Sequence, residues 1–247
     1  MGTKLQRKLI SQFSYLLGFF FLTPQLSALD ISVDGVLDER EWSEAREWTK
    51  YYESMPFSLA EPKHFQKVLI QEDEKGIYFG FINLQSKDSI RANKHERDDE
   101  MANADKCGLA IDFDGDGLTA YGFTVSAGGS ISDGIYRNEN DVNYDWDADW
   151  DSATSINEDG WTAEFFIPWT IAPMKIQKGE KRIVKLSFWR MMAEEESAFQ
   201  QELMVNWIAC SENMHWMEKT SFNKYTWRLQ AHVFQSLIIF EKTCLKP

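Results

Sequence analysis

Apolar side chains recur at every second position through much of the chain between Gln66 and Trp207. Residues 66–71 form a short apolar run, a polar turn closes at Gly76, and Ile77, Phe79 and Phe81 then alternate with Tyr78, Gly80 and Ile82. A period of two places successive side chains on opposite faces of an extended strand. Both sets are apolar or small here, which predicts a hairpin buried on both faces near its centre. Alternation returns at Cys107, Leu109, Ile111 and Phe113, and again at Tyr121, Phe123 and Val125. The turn 157–160 leads into Trp161, Ala163, Phe165 and Ile167, closed by Pro168, and Val184, Leu186 and Phe188 complete the series. Strands at this spacing, separated by Gly- and Asp-rich turns, predict an all-β, antiparallel sandwich or barrel. One short helix stands apart: Asp38 followed by Glu41 has capping-box spacing, with Trp42 and Ala45 on one face.

Residues 1–28 have the layout of an export signal. Lys4, Arg7 and Lys8 precede an apolar stretch from Leu9 to Leu22, and Ser27-Ala28 supply small residues for cleavage, leaving Leu29 or Asp30 as the new N-terminus. The stretch is shorter than the ~20 apolar residues of a membrane span and is interrupted by Ser11, Gln12 and Ser14. Leu26 at the −3 position departs from the small residue favoured there, so an uncleaved anchor is the alternative. The expected organisation is a signal peptide over 1–28, one sandwich domain over 29–213 and a C-terminal segment over 214–247 that shows no clear turn chemistry. The expected location is periplasmic or extracellular, with no membrane span in the mature chain.

Charge narrows the partners. The net charge is −13, and the leader holds three bases and no acid, so the remainder is more acidic still. Such a surface repels nucleic acid and anionic lipid. The three cysteines (Cys107, Cys210 and Cys244) form no CxxC pair, which removes zinc-ribbon and thioredoxin readings. The four histidines show no HExxH spacing and no GxSxG occurs, so nothing marks the chain as an enzyme.

Several segments, in order, resemble carbohydrate-binding module family 9-like domains. Ile31-Ser32-Val33-Asp34-Gly35-Val36-Leu37-Asp38 with Glu41-Trp42 and Ala45 is similar to the family's opening. Asp112-Phe113-Asp114-Gly115-Asp116-Gly117 with Tyr121-Gly122-Phe123 is similar to its middle. Trp150-Asp151-Ser152-Ala153, then Gly160-Trp161-Thr162-Ala163-Glu164 and Ile167-Pro168-Trp169, resemble its later strands. The match spreads over roughly residues 30–210. It implies an antiparallel β-sandwich of jelly-roll or immunoglobulin-like type, either as a non-catalytic module of a xylan- or glucan-degrading system or as the periplasmic front of an outer-membrane barrel. Neither a catalytic domain nor a barrel is legible in this sequence.

The candidate site residues follow from chemistry and from that resemblance. Asp112, Asp114 and Asp116 alternate through a Gly-containing turn, a spacing that lets carboxylates converge on a hard cation; calcium suits it better than magnesium. The twelfth position is Phe123, so this is no EF-hand. Family members often carry structural calcium, and no organic cofactor is expected. The stretch 141–151 holds Asn143, Asp145, Trp146, Asp147 and Trp150. An indole covers the apolar face of a pyranose while carboxylates and amides bond its hydroxyls. Trp146, flanked by Asp on both sides, is the expected platform because those charges make its burial costly; Trp42, Trp150 and Trp161 are expected in the core. Arg97, Asp133 and Arg137 lie on connections that a sandwich gathers at one end. The family clamps a sugar between two Trp. The first should fall in 87–99, where this chain has no aromatic, and Trp207 stands where the second would fall.

The expected ligand is therefore an oligo- or polysaccharide. A cap or interaction domain for a partner protein or an outer-membrane barrel is the alternative. A haem-binding electron-transfer sandwich with axial ligands drawn from Met101, Met174, Met191, Met192 and His95 comes third.

Overall fold

The computed structural model describes residues 28–55, 58–99, 102–137, 141–175, 182–193, 197–201, 205–208 and 238–240. Fourteen strands follow in chain order: β1 (Arg46–Trp48), β2 (Tyr51–Met55), β3 (Gln66–Glu72), β4 (Gly76–Leu84), β5 (Lys106–Asp112), β6 (Thr119–Ser126), β7 (Ile131–Arg137), β8 (Asp141–Asn143), β9 (Asp151–Ile156), β10 (Gly160–Pro168), β11 (Arg182–Met192), β12 (Ser197–Gln201), β13 (Val205–Ile208) and β14 (Ile238–Phe240). They build two antiparallel sheets. The five-stranded sheet has the order β1-β3-β4-β10-β9, and the nine-stranded sheet runs β2-β12-β11-β5-β6-β7-β8 with β13 and β14 also on β11. The all-β sandwich expected from the alternation is the observed fold.

The register shows how the pattern works. Phe79 stands opposite Ile70 and Phe165, and Phe81 opposite Val68 and Ala163. These inward side chains meet Leu109, Ile111, Phe123, Val125, Leu186 and Phe188 of the second sheet in one core. Phe188 bridges the layers with edge-on contacts to Phe79 and Phe81 at 5.9 and 6.2 Å. Trp150 and Trp161 are buried in this core as expected. Arg190, on the same side of β11 as Phe188, is fully buried as well, donating to the carbonyls of Phe65 and Leu84 and to Gln85. Cys107 is a buried thiol, held protonated by its apolar surroundings.

The outward face of β4 is covered too. Leu29, Ile31, Leu37 and Trp42 pack on Leu69, Tyr78, Ile82 and Phe166 in a second, smaller cluster. The N-terminal strap thus explains why β4 is apolar on both faces. The short helix is a five-residue 3₁₀ turn, Arg40–Glu44, whose N-cap is Glu39 with no side-chain cap. The expected capping box does not form, because the turn starts one residue late, with Glu39 in place of Asp38 at the N-cap position.

Glu164 anchors the strap. Its side chain is inaccessible to solvent, and it accepts the backbone N–H of Asp34 (2.9 Å) and Gly35 (2.7 Å) and the indole N–H of Trp42 (3.0 Å). Gly35 has φ +90°, and a Cβ there would lie 2.6 Å from the backbone carbon of Thr154, so the close approach requires glycine. Burial pushes the Glu164 carboxyl up to about 7 against the opposing pull of these N–H donors.

The leader expected over 1–28 lies outside the described residues except for Ala28, which is exposed. Within the segment 214–247 the described part is β14, which pairs with β11. Among the described residues no helix is long and apolar enough to cross a membrane.

The Glu164 pKa generates a pH dependence. A carboxyl raised on folding adds stability in full below its unfolded pKa of about 4.5, and that contribution is lost as pH rises through about 7. Relative to E164Q, the wild-type unfolding free energy is expected to fall between pH 5 and 8 by up to roughly 3 kcal/mol. Urea unfolding of both proteins across that range checks it, and parallel pH profiles would refute it.

Candidate binding site around Arg97 and the 141–151 segment

After β8 the chain runs extended into β9, and its side chains take alternate sides. Asp145, Asp147 and Asp149 are exposed, Trp146 and Ala148 are half-buried, and Trp150 is buried. The Trp146 ring lies 5.0 Å from Tyr121 and 6.0 Å from Phe123, and Trp150 lies 5.2 Å from Phe123. Despite its flanking aspartates, Trp146 is thus half-buried. In an extended segment, immediate neighbours face the opposite way, so the charges reach water while the indole turns inward.

Three residues singled out from sequence do meet. Arg97 donates to Asp133 Oδ1 through Nε (3.0 Å) and Nη2 (2.6 Å), and Nη2 also reaches the Ala148 carbonyl at 3.2 Å. Its Nε stands 2.9 Å from Asp147 Oδ1. Asp133 is fully buried, and its second oxygen accepts the Ala148 N–H at 2.7 Å. Asp98, held at φ +61°, accepts the Asp133 N–H at 2.9 Å. One guanidinium thus ties the β4–β5 connection, β7 and the acidic segment together. Burial raises the Asp133 pKa, opposed by the Ala148 N–H and Arg97.

Carboxylate oxygens of Asp98, Asp133 and Asp147 lie within 4.8 Å of one another, a spacing that could hold a metal ion. This trio differs from the expected one. In the 112–117 turn, Asp112 points its oxygens back at the chain, accepting from Asp114 N (3.1 Å), Gly115 N (2.8 Å) and Gly117 N (2.7 Å). Asp114 accepts the Lys175 N–H at 2.8 Å, and Asp116 takes the Lys175 ammonium at 2.6 Å, which lowers its pKa. The alternating spacing serves turn formation, so these three carboxylates do not converge. No sequence spacing links 98, 133 and 147: Asp133 and Arg137 lie on strand β7 and not on a connection as expected, and the trio comes together only where two connections pack against β7.

The remaining candidates are spread more widely. Asn143 is exposed on β8, and its side-chain oxygen accepts the Asp145 N–H at 2.8 Å; Asp145 and Arg137 are exposed nearby on the β7–β8 arm. Trp207 lies on β13, opposite Val184 of β11. Strands β11, β5 and β6 separate β13 from β7, so at ~4.8 Å per strand the Trp207 backbone stands roughly 19 Å from β7 across the sheet. Met191 is exposed and Met192 buried, on opposite faces of β11, so they offer no shared axial site.

Sequence reasoning counted Tyr144 among the aromatics of the acidic stretch but gave the platform to Trp146; Tyr144 is the exposed aromatic between Asn143 and Asp145. Its ring overlies Gly134 of β7, where a Cβ would meet Tyr144 Cδ1 at 3.2 Å. The glycine opposite the aromatic was the available signal.

No family model and no curated protein matches the sequence. Solved structures do match the fold. A carbohydrate-binding module family 9 domain from Caldicellulosiruptor kristjanssonii, solved in complex with cellotriose and with glucose, superposes with a TM-score of 0.51 at 12% identity, covering 72% of this chain. The alignment takes in 83% of the cellotriose-bound domain and 84% of the glucose-bound one. The fold is that of carbohydrate-binding module family 9. A crystal structure of a candidate carbohydrate-binding protein from Bacteroides uniformis ATCC 8492 aligns with the same TM-score and identity, covering 81% of this chain and 88% of that one.

The Arg97 geometry separates a structural contact from a surface one. R97A leaves the buried Asp133 carboxylate without its cation and is expected to cost on the order of 2–3 kcal/mol. D147A removes a partner that is 71% exposed and is expected to cost less than about 0.5 kcal/mol. Denaturant midpoints of the two variants check the order.

Proposed function

We propose that this protein is an exported, non-catalytic carbohydrate-binding module of a polysaccharide-degrading system. The observation carrying that reading is the fold shared with modules solved holding cellotriose and glucose. The proposed contact surface is the arm from Asn143 to Asp147. Tyr144 supplies the exposed ring for stacking, with Asn143, Asp145 and Asp147 accepting from or donating to sugar hydroxyls. Trp146 supports that surface from beneath through Tyr121 and Phe123. The acidic balance fits a neutral polyhydroxylated ligand and disfavours polyanions.

A structural calcium ion belongs, on this reading, to Asp98, Asp133 and Asp147, where it would take over charge neutralisation from Arg97. A calcium-dependent rise in Tm that D114N retains and D147N loses is the expected result; the reverse pattern would return the ion to the 112–117 turn.

Calorimetric and tryptophan-fluorescence titrations with cello- and xylo-oligosaccharides test the central reading. Saturable binding is expected, weakened at least tenfold by Y144A, whereas W146A should chiefly lower Tm. Binding unchanged in Y144A would move the site elsewhere. A cooperative fold that binds none of these sugars would overturn the carbohydrate reading and favour an interaction or cap domain.

A further inference from the structure

The strap begins at a residue with an unusual partner. The backbone nitrogen of Leu29 donates to Asp73 Oδ2 at 3.2 Å, while the Leu29 side chain packs against the cluster of Trp42, Leu69 and Tyr78. Asp73 is only 4% exposed. Its other oxygen is committed to the turn it shapes, accepting Lys75 N at 2.8 Å and Gly76 N at 3.1 Å. Its carbonyl accepts the Trp169 indole N–H at 2.9 Å, so the carboxylate is held on a braced turn. Asp73 Oδ2 is therefore a buried carboxyl oxygen aimed at the position where, by sequence, a small-residue cleavage site (Ser27-Ala28) has just ended.

We propose that a leader peptidase hydrolyses the Ala28–Leu29 bond and that the new α-ammonium of Leu29 pairs with Asp73, so that processing completes the docking of the strap. Water is the co-reactant. Its hydroxyl joins the Ala28 carbonyl carbon as the C–N bond breaks, the leader departs as a carboxylate, and the freed nitrogen is protonated at neutral pH. Before cleavage that nitrogen is a neutral amide with one proton. Afterwards it is a cation with three, and a charge-assisted hydrogen bond to a buried carboxylate is about twice as strong as a neutral one. A cut one residue later would discard the Leu29 packing and place the charge at the exposed Asp30. The geometry thus selects between the two N-termini that the leader pattern allows.

The inference rests on the export reading, and the first experiment separates them. Intact-mass and N-terminal sequencing of the full-length chain, expressed with its own leader and recovered from outside the cytoplasm, is expected to show Leu29 first. Asp30 first, or an uncleaved chain recovered outside the cytoplasm, overturns this proposal and leaves export standing; a chain retained in the cytoplasm overturns both. The second experiment tests the ion pair. The exported protein is acetylated in denaturant near pH 6.5, where the α-amine reacts ahead of lysine, and is then refolded. The acetyl group reproduces the amide of the precursor. Acetylation is expected to lower the folding equilibrium constant on the order of tenfold with Asp73 in place and to leave D73N nearly unchanged. An equal effect in both backgrounds overturns the pairing.

Discussion

Glu164 has both carboxyl oxygens inside the protein and three N–H groups pointing at them, two from the backbone at Asp34 and Gly35 and one from the Trp42 indole. A carboxyl cannot be placed there without those donors, since an unpaired buried carboxylate costs several kcal/mol. The donors in turn come from a single stretch of chain before β1. The strap and the strand are therefore mutually required. With the strap in place, Leu69, Tyr78, Ile82 and Phe166 are covered; without it, the five-stranded sheet would present a greasy outer face to water. The separated pieces of the family resemblance, the Asp34-Gly35 turn, Trp42 and Glu164, turn out to be the two halves of one contact.

The same device recurs at the other sheet, again with a buried carboxyl as the acceptor. There the buried group is Asp133, and the connecting segments bring Arg97 and the Ala148 N–H to it. Arg190 is a third case, a fully buried guanidinium that fastens β11 to the entry of β3 and the exit of β4 through backbone carbonyls. In each case a charged side chain on or beside a core strand captures irregular chain. The loops at the ends of the sandwich are held by such anchors together with apolar side chains such as Ile90, Ala92, Trp146 and Trp169 that pack against the core.

This division bears on function. The anchors spend the charged groups that a ligand might otherwise use: Arg97 is committed to Asp133 and Asp147, and Lys175 to Asp114 and Asp116. What stays presented outward is the arm of Asn143, Tyr144 and Asp145, built over the glycine floor of β7. A shared scaffold does not by itself dictate the groups it presents, since fold and site vary separately.

Strand positions were readable from residues 66–188 because alternation is a local property: side chains two apart share a face whatever the rest of the chain does. The burial of Trp161 and the two-sided burial of β4 followed from it, whereas the burial of Trp42 was expected from its place on a short helix face and that of Trp150 from the family resemblance. The same rule, applied to Asp145-Trp146-Asp147, would have turned Trp146 inward; weighing its neighbours' charge instead of the period led the other way. The Arg97 cluster was only half legible. Arg97, Asp133 and Asp147 stood out as residue types, but their meeting, and the entry of Asp98 in place of the 112–116 aspartates, depends on two connections closing over strand β7. Contacts between residues dozens of positions apart have no period to betray them, because they are set by where the two sheets, once packed, leave the loops.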